Sequence, residues 1–116
     1  METKYVGSRT QEGCKVEKVA GGKEPEVLDP RLDLWNHSPT GLEWSYAGSG
    51  PAQTALALLA DATGDDRLAV ALHQDFKFKF VSRFPREGFE LAVEEVQRWA
   101  EEEAKKLDLS GWEEGG

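Results

Sequence analysis

The stretch GSGPAQTALALLADATGDD, residues 48–66, decides how the rest of the chain must be read. Pro51 suits a first helical turn, because that turn leaves its N–H groups unbonded anyway, and Ser49 or a glycine can occupy the cap. From Gln53 to Thr63 an apolar helix follows: Leu56, Leu59 and Ala60 share one face at i, i+3, i+4 spacing, and Ala55 and Leu58 widen that stripe. Such a helix is expected to be buried on most sides. Gly64 ends it, and Asp65 or Asp66 can cap a second helix carrying Leu68, Leu72 and Phe76 one turn apart. The two helices form a hairpin-like pair.

Working outward toward the N-terminus, residues 4–8 and 15–19 read as two short strands joined by a polar turn at 10–13. Residues 20–30, rich in Gly, Pro and acidic side chains, read as a loop that can hold a short edge strand at 26–28. Toward the C-terminus the period changes to two. Phe76, Phe78 and Phe80 alternate with Lys77, Lys79 and Val81, and Arg83 continues the second set, which predicts a strand. After Pro85 and Gly88, the residues Phe89, Ala92, Val93, Val96, Trp99 and Ala100 trace a helical stripe through about residue 106. The expected fold is a single α+β domain over 1–107, a small mostly antiparallel sheet packed against two or three helices, followed by a flexible acidic tail at 108–116.

Composition narrows the function classes. Of the net charge of −8, residues 1–85 carry −2 and residues 86–116 carry −6, so the acidity belongs mainly to the C-terminal segment. An acidic surface repels a phosphate backbone, which argues against binding duplex nucleic acid. The single cysteine, Cys14, allows neither an internal disulfide nor a cysteine metal site and fits a reducing compartment. With no signal-like or membrane-length apolar run, a cytoplasmic protein without membrane contact is expected.

Residues 36–53, NHSPTGLEWSYAGSGPAQ, are too irregular for a helix and too distinctive for a spacer. Together with Leu56, Leu58, Leu59 and the Phe76–Lys77 pair, this motif resembles an uncharacterised family of short phage, plasmid and bacterial proteins. The resemblance points to the location of a site without assigning an activity, and it raises the expectation of a role in host conflict.

Chemically, Gly48, Ser49 and Gly50 ahead of a helix start offer free N–H groups and the positive end of the helix dipole, which suits a phosphate; the same residues also make an ordinary tight turn. Trp44 and Tyr46 would point the same way in an extended strand and could stack on a base, although one of the two rings equally fills a core, as does Trp35. His37 beside Ser38 and Thr40 is expected to lock the loop, with Gln53 at its end. His73 has no companion ligands, so no metal or cofactor is expected. Lys77, Lys79 and Arg83 on one strand face are a candidate phosphate clamp, or the lysine protection of an edge strand.

The ligand-binding set read from the sequence is therefore His37, Ser38, Thr40, Trp44, Tyr46, Gly48, Ser49, Gly50, Gln53, Lys77, Lys79 and Arg83. It describes a non-enzymatic protein that sequesters a small phosphorylated ligand or nucleotide signal, for which a homo-oligomer would supply a deeper pocket. The alternatives are a small hydrolase or nucleotide-modifying enzyme built on His37 and Glu43 with Ser38 or Ser49, and a protein-interaction inhibitor acting through the acidic helix from Glu94 to Glu103.

Overall fold

The computed structural model describes residues 2–39 and 41–107. Two strands, β1 (Lys4–Thr10) and β2 (Gly13–Val19), pair in register from Lys4 opposite Val19 to Thr10 opposite Gly13. Gly13 closes their turn at φ 122°, a value that favours glycine. β3 (Glu26–Val27) adds a short edge to β2. The two central helices follow as α1 (Ser49–Thr63) and α2 (Asp66–Lys79). Gly64 caps α1 in the left-handed conformation at φ 68°, and the Asp65 carboxylate accepts from the Leu68 N–H to start α2.

Two elements differ from the sequence reading. Residues 76–83 form no strand: α2 continues to Lys79, and a 3-10 turn occupies Val81–Arg83. Phe76 and Phe80 are four apart, a spacing compatible with either period, and their ring centroids do lie 4.9 Å apart on one side. Phe78 separates the two periods, and it is left 56% exposed. The helical set Ala69, Leu72, His73, Phe76 and Lys77 is the one buried, so the three-and-four pattern wins. Residues 88–92, read as the start of the last helix, instead form β4 (Gly88–Ala92), and α3 spans Val93–Leu107. β4 pairs antiparallel with β1, Gly7 opposite Phe89 and Tyr5 opposite Leu91. This long-range pairing lies outside any local window. The tail at 108–116 lies outside the described residues.

The sheet runs β3-β2-β1-β4, antiparallel throughout, so the architecture is α+β as the pattern implied. Tyr5, Val16 and Phe89 turn one face toward the helices and join the core with Leu56, Leu58, Leu59, Leu72, Phe76 and Val96. α1 is the centre of that core, with every residue from Gly50 to Ala60 buried. The Asp61 carboxylate near the end of α1 accepts from the Tyr5 hydroxyl at 2.7 Å and pairs with Lys18 at 2.9 Å, tying α1 to both central strands. No helix among the described residues is long and apolar enough to cross a membrane.

Gly7 leaves room on the sheet face for its cross-strand partner on β4, because a Cβ there would overlap the ring of Phe89. Gly7→Ala is therefore expected to lower the unfolding free energy in urea by about 1–3 kcal/mol through overpacking. The same substitution at Gly13 would meet no neighbouring atom and would act through its backbone angle only.

Candidate functional site

The loop from residue 30 to residue 48 has no regular secondary structure, so its backbone groups must find partners elsewhere. α1 supplies them from its first turns. The Gln53 side chain is fully buried, its Oε1 accepts from the N–H groups of His37 at 2.7 Å and Ser38 at 3.1 Å, and its Nε2 donates to the carbonyls of Pro30 at 2.7 Å and Trp35 at 2.9 Å. Next to it, Thr54 Oγ1 accepts from the Glu43 N–H at 2.9 Å and lies 2.7 Å from the Glu43 carbonyl, to which it donates. Ser38 Oγ donates to the Gly41 carbonyl at 2.9 Å, closing a small turn. The loop is thus stapled across the start of α1 at several points.

This anchoring sets His37 against α2. His37 Nε2 lies 2.9 Å from His73 Nε2, and His73 Nδ1 lies 2.7 Å from the Val70 carbonyl. A carbonyl only accepts, so His73 carries its proton on Nδ1; its Nε2 is then the acceptor, and His37 donates from Nε2. Gln74 Nε2, 3.4 Å from His73 Nε2, points a donor at the same lone pair. The tautomers leave His37 Nδ1 as the open position. Trp35 stacks on His37 with centroids 5.0 Å apart and planes 8° from parallel, and its indole is 50% exposed.

Lys77, one turn after His73, completes the cluster. It is only 8% exposed, and it is the one charged side chain in the buried set of the described residues. Its Nζ sits 4.2 Å from the centroid of the Phe78 ring and has neither a carboxylate nor a carbonyl partner among them. Yet Nζ is not sealed from solvent. A shielded cation without a counter-charge costs stability, and clusters of this kind are where functional sites are found. Burial, and then the charges of His73 and Lys77, hold His37 below the ordinary imidazole value. For His73 burial also comes first; Lys77 adds to it, against the opposing Val70 carbonyl.

The remaining sequence-selected residues scatter. Trp44 is fully buried, edge-on to Phe89 at 5.1 Å, with its indole N–H donating to the Arg86 carbonyl. Tyr46 is 51% exposed, because Ser45 between them takes φ 84° and turns the chain. The two rings therefore do not form a shared stacking face. Gly48 and Gly50 have a local purpose: a Cβ at Gly48 would press on the Tyr46 ring, and one at Gly50 on Glu43 and the Tyr46 hydroxyl. Ser49 lies exposed in the first turn of α1. Lys79, two residues past Lys77 on a helix, points away from it, and Arg83 stands in the 3-10 turn, so the single basic stripe is not formed. Thr40 lies outside the described residues.

His37 and Glu43 are not partners either. Glu43 receives both terminal nitrogens of Arg9, at 3.0 and 3.3 Å. Burial works to raise the Glu43 pKa, but Arg9 and the Cys14 thiol outweigh it and leave the carboxylate below its ordinary value. The sequence reading missed Trp35, assigned to the core, and His73, set aside as an isolated histidine. The signal that finds His73 is its i, i+4 relation to Lys77, visible only once α2 is carried past residue 76.

Small α+β proteins of this architecture fix no activity by themselves. The chain belongs to a family of unknown function, DUF6166, whose model matches residues 5–102. No curated protein and no solved structure matches it. Among the described residues no group of three or more His, Cys, Asp or Glu side chains is arranged to hold a metal ion.

Two outcomes test this construction. Gln53→Leu leaves two N–H groups and two carbonyls without partners and is expected to cost at least about 3 kcal/mol in chemical unfolding. The imidazoles give a pH signature: each binds its proton more weakly in the folded chain than at the ordinary value of 6.5. The unfolded chain therefore takes up protons first, so this part of the stability is complete above 6.5 and is lost as the pH falls through 6.5 toward the folded values. Urea midpoints at pH 7.5, 6.5 and 5.5 should fall in that order, and His73→Phe should flatten the trend.

Proposed function

We propose that the chain is a non-enzymatic binding protein for a small phosphorylated ligand of the nucleotide type, held at the surface made by Trp35, His37, His73 and Lys77. The observation that carries this reading is Lys77: a side chain only 8% exposed whose ammonium still reaches solvent and has no anionic partner among the described residues, one turn from the His73 imidazole that meets His37, on which the half-exposed Trp35 indole stacks. A phosphate supplies the missing counter-charge, and charge-assisted contacts are strong where water is partly excluded. The planar part of the ligand stacks on Trp35, a contact worth about 1–3 kcal/mol per base in single-strand binders. The stapled loop supports binding over conversion, because it offers a fixed surface that needs no ordering when the ligand arrives.

In this reading the protein works in the cytoplasm, and the likeness of residues 36–53 to phage and plasmid proteins favours sequestration of a host signalling nucleotide. A second copy of the chain would cover the outer face of the ligand.

The test is a thermal-shift and titration panel of mononucleotides, dinucleotides and cyclic oligonucleotides, with each ligand analysed afterwards. A binder present at 100 times its Kd should stabilise the fold by about 2.7 kcal/mol and be recovered unchanged. Lys77→Met should abolish the stabilisation while making the free protein more stable, since it removes the uncompensated charge. Trp35→Ala should weaken nucleotides more than inorganic phosphate. A chemically altered ligand, or a Lys77→Met protein that binds as well as the wild type, refutes the proposal.

A further inference from the structure

The tautomer arrangement of the two histidines leads to a statement about the charge of the ligand, and it rests on the binding site proposed above. We infer that the site selects a terminal phosphate, a dianion, over a phosphodiester monoanion, and that the dianion enters together with one proton held by the His37–His73 pair.

In the free site His73 donates from Nδ1 to the Val70 carbonyl, and His37 donates from Nε2 to His73 Nε2. One more proton fits at His37 Nδ1 without breaking either bond. The resulting imidazolium keeps its Nε2 bond to His73 and gains an outward donor at Nδ1. By contrast, a proton on His73 Nε2 would face the existing His37 N–H and force His37 to change tautomer. The pair therefore has room for one proton, in a defined place, taken from solvent.

Around the imidazoles, α2 presents Lys77, His73 and the neutral amide of Gln74; the loop presents Trp35 and His37; and α1 presents the neutral amide of Gln53. The charges that act on His37 are those of His73 and Lys77, and on His73 that of Lys77; among the described residues no carboxylate acts on either ring. Lys77 is thus the standing reason, after burial, that the pair stays neutral. A monoanion cancels Lys77 and leaves the site uncharged. A dianion reverses the sign of the local field, and in a partly desolvated site that excess charge is relieved by protonating His37. The bound imidazole then holds its proton more tightly than the free one, so affinity for a dianion rises as the pH falls, by up to about tenfold per pH unit, and levels off below the titration of the free site.

Sulfate separates the ligand's titration from the protein's, because it keeps two charges throughout the neutral range. Calorimetry of the full chain with sulfate and with AMP at pH 7.5, in two buffers of different ionisation enthalpy, should show uptake of close to one proton per site. Cyclic AMP, a diester with the same base, should bind at least about tenfold more weakly and with almost no proton uptake, because only the doubly charged ligand leaves charge to neutralise. Sulfate should bind more tightly at pH 6 than at pH 8. In the wild-type chain, which avoids any question of variant folding, the imidazole NMR signals of His37 should titrate at higher pH once sulfate is added. Binding of AMP or sulfate without proton uptake, or equal affinity for AMP and cyclic AMP, overturns this inference and leaves the binding site standing. No heat and no NMR shift with sulfate, AMP or cyclic AMP at either pH overturns the binding site as well.

Discussion

The side-chain amide of Gln53 is the constraint on which the upper half of the molecule depends. It is enclosed completely, and each of its polar atoms is committed to two backbone groups drawn from Pro30, Trp35, His37 and Ser38. A carboxamide has two donors and two acceptor sites, and here all are used. The loop can therefore dispense with regular structure: α1 lends it the partners that a strand would have found in a neighbouring strand. Thr54 repeats the device for Glu43 one residue further along the helix. Because Gln53 and Thr54 are adjacent, they leave the helix about 100° apart and hold the two ends of the loop on different flanks. That separation places His37 against α2 and sends Glu43 toward β1, which is why a pairing of His37 with Glu43, reasonable from sequence distance, does not arise.

The electrostatic layout follows from the same anchoring. Most interior or half-buried charges are answered locally: Arg9 by Glu43, Lys18 by Asp61, and Arg31 by Asp33 and Asp66 together. Arg31 holds φ 57° to do so, a left-handed value for a residue with a Cβ, and its forked guanidinium bridges the loop to the start of α2. Against this background of answered charges, Lys77 stands out. Among the described residues its ammonium meets the Phe78 ring and no carboxylate, and a cation over an aromatic face recovers a part of the hydration lost on burial. Phe78 is more than half exposed, so its position under Lys77 also accounts for an aromatic residue left outside the core.

What could be read from the chain was whatever depends on local pattern. The strand pair at the N-terminus, the glycine stop at Gly64 and the Asp65 cap are each encoded within a few residues, and the structure has all three. The errors share a cause. Phe76 and Phe80 satisfy helical and strand periods alike, so the local pattern is degenerate, and the choice was made by the fit of Leu72 and Phe76 into a core that is assembled from distant segments. β4 exists because β1 requires a second neighbour, and nothing between Gly88 and Ala92 announces a partner near the other end of the chain. The site suffered from the same degeneracy. With residues 76–83 taken as a strand, Lys77 was grouped with Lys79 and Arg83; as a helix, the chain groups it with His73 instead.

A rigid loop and an unsatisfied cation are complementary properties. Had the loop been mobile, Lys77 could have drawn a carboxylate from it, and in a chain of net charge −8 acidic side chains are plentiful. The Gln53 staple prevents that collapse by fixing His37 and Trp35 beside His73, one turn from Lys77, and neither of them carries a negative charge. Glu43, the one carboxylate on the same loop beyond residue 36, is held by Arg9 on the far flank. The stability lost at Lys77 is therefore maintained by the stability gained at Gln53, and a site kept open in this way has its anion-binding geometry set before any ligand arrives.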